Sequence, residues 1–234
     1  MKRMTVAVDG PAGSGKSSVS RHVAAQLGFR YIDSGAIYRA ITLFVLSRDG
    51  SVGPDFRFTP DIAEAKISQE FLPDRTCRTY LNGTDVSIRL RDEKITGSIG
   101  IISDCRPVRE HVNQLLRAWA RESSVIMDGR DIGSVVFPCA DLKIYLDASP
   151  EVRARRRINE YRELGKNVDE ILIKKQIILR DEQDARRPFG ALVRVPDALS
   201  IDTSRMTMDQ VIERISQEII NRMERHGAPH PGNE

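Results

Sequence analysis

The stretch VAVDGPAGSGKSSVSRHVAAQLG, Val6–Gly28, constrains the fold of this chain more than any other segment. Thr5–Asp9 is a short apolar run and reads as a buried strand. After a glycine-rich turn, Val19, Val23, Ala24 and Leu27 recur at i, i+4, i+5 and i+8, the stripe of a helix that Gly28 ends. Between the two, Gly10, Gly15, Lys16 and Ser17 satisfy the phosphate-loop pattern G-x-x-x-x-G-K-[ST] in register. Glycines let the backbone curl until successive N–H groups and the helix N-terminus converge on an anion. Gly10, Pro11, Ala12, Gly13, Ser14, Gly15, Lys16, Ser17 and Ser18 are therefore expected to hold a nucleoside triphosphate, with Lys16 reaching the β and γ phosphates and the Ser17 hydroxyl ligating Mg²⁺. The competing reading is a glycine-rich βα turn with no ligand.

The same kind of strand recurs at Arg30–Asp33, Ser124–Asp128, Lys143–Asp147 and Ala198–Asp202, each apolar and each ending in aspartate. Strands alternating with helical patterns predict an α/β fold: a parallel sheet flanked by helices, with ligands beyond the carboxyl ends of the strands. Two stretches break the alternation. Residues 58–103 mix polar and apolar positions around TYLNGTDV, where Asn82 and Gly83 suit a type I′ hairpin, and are expected to form an inserted β subdomain. Residues 153–166 follow a helix start made by Ser149 as N-cap and Pro150. They are charged on nearly every side, so little burial and a mobile basic flap are expected. The core is then 1–57 with 104–226, and 227–234 is expected to be a disordered tail.

Other helical signals carry structure more than chemistry. Val108, Val112, Leu115 and Trp119 share a stripe, so Trp119 is expected in the core, and Thr207 with Gln210 has capping-box spacing before a terminal helix. At 234 residues the chain can build one large core with insertions. No apolar run is long enough to span a bilayer and the N-terminus lacks a signal-peptide pattern, which points to a cytoplasmic protein without a membrane partner. Three widely spaced cysteines fit reduced thiols. A net charge of +3 admits nucleic-acid binding, but aromatics are only 6% and no basic face carries them, so no nucleic-acid partner is expected.

Five ordered motifs then converge. After the phosphate loop come YIDSGAIYRA, DGRDIG followed by VVFP, RDEQDARR and DALSIDTS, which together closely resemble bacterial cytidylate kinases over nearly the whole chain. The resemblance implies a P-loop NTPase-type sheet with a monophosphate-binding insert and a helical lid, ATP as phosphoryl donor, Mg²⁺, and CMP, with dCMP, as acceptor. It implies Ser34, Arg39, Arg109, Arg130, Asp131, Arg180, Asp184 and Arg187 on the acceptor, Arg157 of the lid on ATP, and Lys16, Arg130 and Arg187 over the transferred group. A monomer is expected.

Residue chemistry agrees with that assignment. A phosphate monoester has its second pKa near ~6, so the acceptor oxygen is already ionised at neutral pH and no general base is needed. Accordingly no motif contains a histidine: His22 and His111 fall inside helices, and His226 and His230 lie at or past the last one. Cytosine offers an N4 donor beside N3 and O2 acceptors, which suits one carboxylate and one guanidinium, here Asp131 and Arg109. Arg39, Arg109 and Arg130 are each expected beside a strand end, and Arg180, Asp184 and Arg187 on one helix face. The family's serine nine residues before Arg109 is Gly100 here, with Ser98 or Ser103 as substitutes, and Cys139 stands where aspartate is common. The alternatives are another P-loop kinase acting on AMP, UMP or shikimate, or an ATP-gated RNA-binding protein.

Overall fold

In the computed structural model, which describes residues 3–163, 165 and 167–225, the chain alternates strand and helix from its start. β1 (Thr5–Asp9), α1 (Lys16–Leu27), β2 (Arg30–Asp33) and α2 (Ser34–Asp49) open the fold. The insert supplies α3 (Pro60–Glu64), β3 (Ile67–Phe71), β4 (Cys77–Leu81), β5 (Thr84–Asp85) and α4 (Glu93–Asp104). Then come α5 (Arg106–Trp119), β6 (Val125–Gly129), β7 (Leu142–Asp147), α6 (Pro150–Glu163), α7 (Glu170–Arg186), β8 (Leu199–Asp202) and α8 (Met208–Arg225).

The large sheet has the order β2-β6-β1-β7-β8 and all its pairings are parallel. β1 sits at its centre, with Thr5 opposite Val125 and Val6 opposite Leu142. Its alternate side chains feed two cores. Ala7 joins Met127, Ile37, Ile41, Val108 and Val112 on the face covered by α2, α4 and α5. Val6 and Val8 join Val19, Val23, Ile144, Ile215 and Ile219 on the face covered by α1 and α8. Burial on both faces is what makes such strands read as unbroken apolar runs.

The insert differs from its sequence-based description. Its antiparallel sheet β3-β4-β5 is present, and Asn82 and Gly83 both have positive φ (51° and 82°), as a type I′ turn demands. Yet the segment also contains α3 and α4, and Ile62, Ile67, Leu90, Ile95 and Ile102 belong to the same hydrophobic cluster as the sheet. The segment 153–166 also departs from expectation. Arg153, Ala154 and Ile158 are buried, and a small cluster of Ala154, Ile158, Ile173 and Ile177 binds α6 to α7. Ser149 does cap α6, its hydroxyl accepting from Val152 N at 3.3 Å. Leu164, Lys166 and the segment 226–234 lie outside the described residues, and so do the expectations for the tail, His226 and His230.

Smaller shifts have simple causes. In α5 the buried stripe is Val108, Val112 and Leu116, not Leu115, while Trp119 packs against the cluster with Arg30 5.6 Å from its ring. β6 continues past Asp128 to Gly129. Thr207 and Gln210 form the capping box reciprocally, at 2.9 and 3.3 Å. Cys77, Cys105 and Cys139 are free. Among the described residues, no helix is long and apolar enough to cross a membrane.

Candidate active site

The phosphate loop is shaped by what surrounds it. β1 ends at the carboxyl rim, and Gly10 turns the chain there with φ 149°; a Cβ on Gly10 would lie 2.0 Å from the carbonyl oxygen of Leu146 in neighbouring β7. Only glycine passes that point. The loop then closes on Lys16, whose Nζ donates to the Pro11 carbonyl at 2.7 Å and lies 3.4 Å from Ser14 Oγ. Burial, reinforced by the nearby Arg130 charge, lowers the Lys16 pKa from 10.5 to about 7.

The five strand-end aspartates divide by what their carboxylates hold. Asp9 accepts from Ile132 N and Gly133 N at 2.8 and 2.7 Å, fixing the turn after Asp131; burial raises its pKa to about 6 against those two N–H groups. Asp147 and Asp202 accept from backbone N–H groups of their own turns, and Asp33 accepts from Ala36 N at the start of α2. Asp128 alone turns to the loop. Its Oδ2 accepts from Ser17 Oγ at 2.6 Å and its Oδ1 from Tyr31 Oη at 2.5 Å, while its main-chain carbonyl accepts from Ser34 Oγ at 2.7 Å. Burial, with the Asp128 charge beside it, raises the Asp33 pKa. Asp128, which opens the DGRDIG motif near the end of β6, was not among the expected site residues; its bond to Ser17 makes it a candidate.

This corner fits the Mg²⁺ that the loop motif implies. A hydroxyl and a buried carboxylate supply hard oxygen donors 2.6 Å apart, and magnesium is ordinarily held by one or two such groups together with nucleotide phosphates. Among the described residues there is no cluster of three or more His, Cys, Asp or Glu that could hold a metal, so an all-protein cage is not the arrangement offered.

Facing the loop, Arg130, Arg180 and Arg187 gather around the carboxylate of Asp184, and Arg39 lies near Arg180. Arg130 Nε and Arg187 Nη2 donate to the two oxygens of Asp184, at 2.8 and 2.9 Å, and Arg187 Nε donates to Asp104 at 2.6 Å. Burial works to raise the Asp184 pKa, but the charges of Arg130, Arg187 and Arg180 overcome it and the net shift is downward. Arg180 makes no hydrogen bond or ion pair among the described residues; burial, then the Arg130 charge, lowers its pKa to about 10. Arg39 donates to Leu90 O and Thr96 Oγ1, both at 3.1 Å, and its pKa is lowered by burial and by the charges of Arg157, Arg91 and Arg130. Two expectations are corrected here. Arg39 and Arg109 lie within α2 and α5, not beside strand ends, and only Arg130 directly follows a strand. Arg187 lies one residue past α7, because the helix stops at Arg186 before Pro188.

Arg109 and Asp131 form a buried pair. Arg109 Nη2 donates to Asp131 Oδ2 at 2.5 Å and Nη1 to Ser103 O at 3.0 Å, with Tyr38 stacked 5.4 Å from the guanidinium. Arg109 Nε has no partner. Gly190 lies directly on the pair: a Cβ there would sit 2.3 Å from Arg109 Nη2 and 2.4 Å from Asp131 Oδ2. Ser103 Oγ bonds back to Gly100 O at 3.1 Å, so it reaches Arg109 through its carbonyl only.

The α6–α7 hairpin touches the loop through residues that the sequence reading left out. Arg153 donates to Ala12 O at 3.1 Å and to both oxygens of Asp181 at 3.0 and 2.6 Å, and Arg156 reaches Ser14 O at 3.3 Å and Thr203 O at 2.8 Å. Arg157, by contrast, is half exposed and bonds along its own helix to Glu160 and Tyr161.

A parallel sheet with a phosphate-loop motif after its central strand, faced by a cluster of arginines, is the layout of a P-loop kinase. Comparison with known proteins narrows this. The Cytidylate kinase family model matches residues 6–221. A cytidylate kinase of Symbiobacterium thermophilum is 40% identical over 92% of this chain and 95% of its own length, and one of Lactobacillus gasseri is 39% identical over 95% and 96%. This chain belongs to the cytidylate kinase family. At the level of fold alone, an uncharacterized protein from Eubacterium ventriosum superposes with a TM-score of 0.53 at 13% identity, covering 94% of this chain and 99% of that one.

Proposed function

We propose that this chain transfers the γ-phosphoryl group of ATP to CMP, with dCMP as a second acceptor, by in-line displacement. The observation that carries the reading is the crowding of cations opposite the phosphate loop, where Arg130, Arg180 and Arg187 share the carboxylate of Asp184, and neighbouring guanidinium charges add to burial in lowering the pKa of Arg180 and of Arg39. Such a cluster calls for a dianion, and a nucleoside monophosphate is one. Gly10 to Ser18 bind the donor phosphates, and Lys16 leaves the Pro11 carbonyl to meet the β and γ groups. Ser17 and Asp128 would hold Mg²⁺, which would supply positive charge against the charge that builds on the transferred group. Arg130 and Arg187, already oriented by Asp184, supply the positive charge on the acceptor side, and Ser34 orients the acceptor from the start of α2. Because the acceptor oxygen is ionised, no residue need take a proton.

Asp131 and Arg109 read the base. The Asp131 carboxylate accepts from N4 of cytosine but meets the O4 acceptor of uracil with no proton between them, a mismatch of ~1–3 kcal/mol or about 5–150-fold. Arg109 Nε, buried and without a hydrogen-bond partner, is the donor left over for the ring acceptors. The α6–α7 hairpin acts as the lid, carrying Arg157 with Arg153 and Arg156 on the ATP side. The enzyme works as a cytoplasmic monomer on small molecules, without nucleic acid or membrane.

A coupled assay of ADP release over CMP, dCMP, UMP and AMP tests the reading. CMP and dCMP should lead, and Asp131→Asn should lower CMP efficiency while shrinking the CMP to UMP ratio in kcat/KM. ATP turnover that no monophosphate accelerates would overturn it; an unchanged ratio would move base reading elsewhere, toward Gly100.

A further inference from the structure

Tyr31 belongs to neither nucleotide contact set, yet it is built into the corner where they meet. Its ring is 1% exposed and rests edge-on against Phe71 of the insert, 5.7 Å away at 63°. A phenylalanine would fill that space equally well, so packing does not account for the hydroxyl. That hydroxyl donates to Asp128 Oδ1 at 2.5 Å, opposite the oxygen that accepts from Ser17 at 2.6 Å.

We propose that Tyr31 is a positioning residue for phosphoryl transfer: by holding one oxygen of Asp128, it fixes the plane of the carboxylate and so the direction in which Ser17 and Asp128 present oxygen to Mg²⁺. The proposal rests on the reading of the site given above. Its physical ground is that the terminal torsion of aspartate is broad and sets no plane by itself. Two hydroxyls on opposite oxygens set it here. The end of β2 is itself clamped by the insert, since Gln69 Nε2 donates to Asp33 O at 2.9 Å and Asp33 N donates to Gln69 Oε1 at 3.1 Å. The tyrosine hydroxyl is therefore delivered from a seat made jointly by β2 and β3.

The test uses the full chain and a fluorescent ADP analogue, titrated once in magnesium and once in EDTA. Tyr31→Phe should weaken binding in magnesium, and raise the half-saturating Mg²⁺ concentration, by about tenfold, the lower end of what outer-shell partners of a metal are worth, while leaving binding in EDTA at the wild-type value. Equal weakening with and without magnesium overturns the proposal, because a merely distorted loop does that. So does an unchanged magnesium requirement beside a lowered Tm, the behaviour of a tyrosine needed only to satisfy its own burial. In an Asp128→Asn background Tyr31→Phe should add nothing further; an additive shift also overturns it. A wild-type protein indifferent to magnesium would overturn the site reading as well, whereas a magnesium-sensitive wild type beside an unaffected Tyr31→Phe removes the role of Tyr31 alone.

Discussion

Burying an ammonium group with an arginine nearby leaves Lys16 half-protonated near neutrality, its pKa lowered from 10.5 to about 7. An arriving triphosphate adds negative charge and raises that pKa, so binding captures a proton at any pH where the free protein has lost it. The sign follows: ATP affinity is greatest below about pH 7 and falls as pH climbs toward the higher pKa of the complex. Isothermal calorimetry in two buffers of different ionisation enthalpy should give uptake of about half a proton at pH 7, rising toward about one at pH 8.5. Zero uptake at both would mean that the lysine is fully charged without nucleotide. Lys16→Ala should lower kcat by about 100–1000-fold, in line with losing one preorganised charge, and leave the fold intact. Lys16 and Ser17 were legible in sequence because loop geometry demands those residue types at fixed spacing. The partners of Asp128, Tyr31 and Arg153 were not: each lies 28 to 111 residues away, a pairing created only by the sheet and the helical hairpin.

Among the elements, α6 most contradicts its composition. A helix so charged was expected to lie free, but its first turn is pinned where Arg153 meets Ala148 O, Ala12 O and the carboxylate of Asp181. Arg153→Ala should destabilise the protein by ~2–3 kcal/mol in denaturant unfolding, less than a fully buried pair because Asp181 keeps some exposure. It should also raise KM for ATP more than KM for CMP, since Ala12 belongs to the donor loop. Arg157→Ala, on an exposed stretch of the same helix, should change stability by no more than about 0.5 kcal/mol. Equal losses from the two would return α6 to the freely solvated flap. The strands were read almost to the residue because a parallel strand buried on both faces is a plain apolar run bounded by aspartate or glycine. α4 was missed because Gly97 and Gly100 weaken its helical signal, although Ile95, Ile99 and Ile102 keep the spacing of a buried face.

At the scale of the whole molecule, insert and sheet share one hydrophobic cluster, while the α6–α7 hairpin has its own small one. Ile102→Ala should therefore cost about 2–5 kcal/mol and shift a single cooperative transition; a separate early phase would make the insert an independent unit. Hydrogen exchange should find α6–α7 opening at lower free energy than the sheet, and slowing when ATP and CMP analogues are both bound. The alternation of strand and helix disclosed a parallel sheet, but its order could not be read from local patterns, because every neighbour of β1 lies more than a hundred residues along the chain. That arrangement bears on how the protein is made. β1 leaves the ribosome first, yet the carbonyl of Leu146 that closes behind Gly10 is synthesised on the order of ten seconds later at typical elongation rates. Until then the nascent chain carries a complete phosphate-loop sequence with no strands to shape it, so ribosome-bound chains stalled before β7 should have no hold on nucleotide, and capture on immobilised ATP should begin only once β7 has emerged.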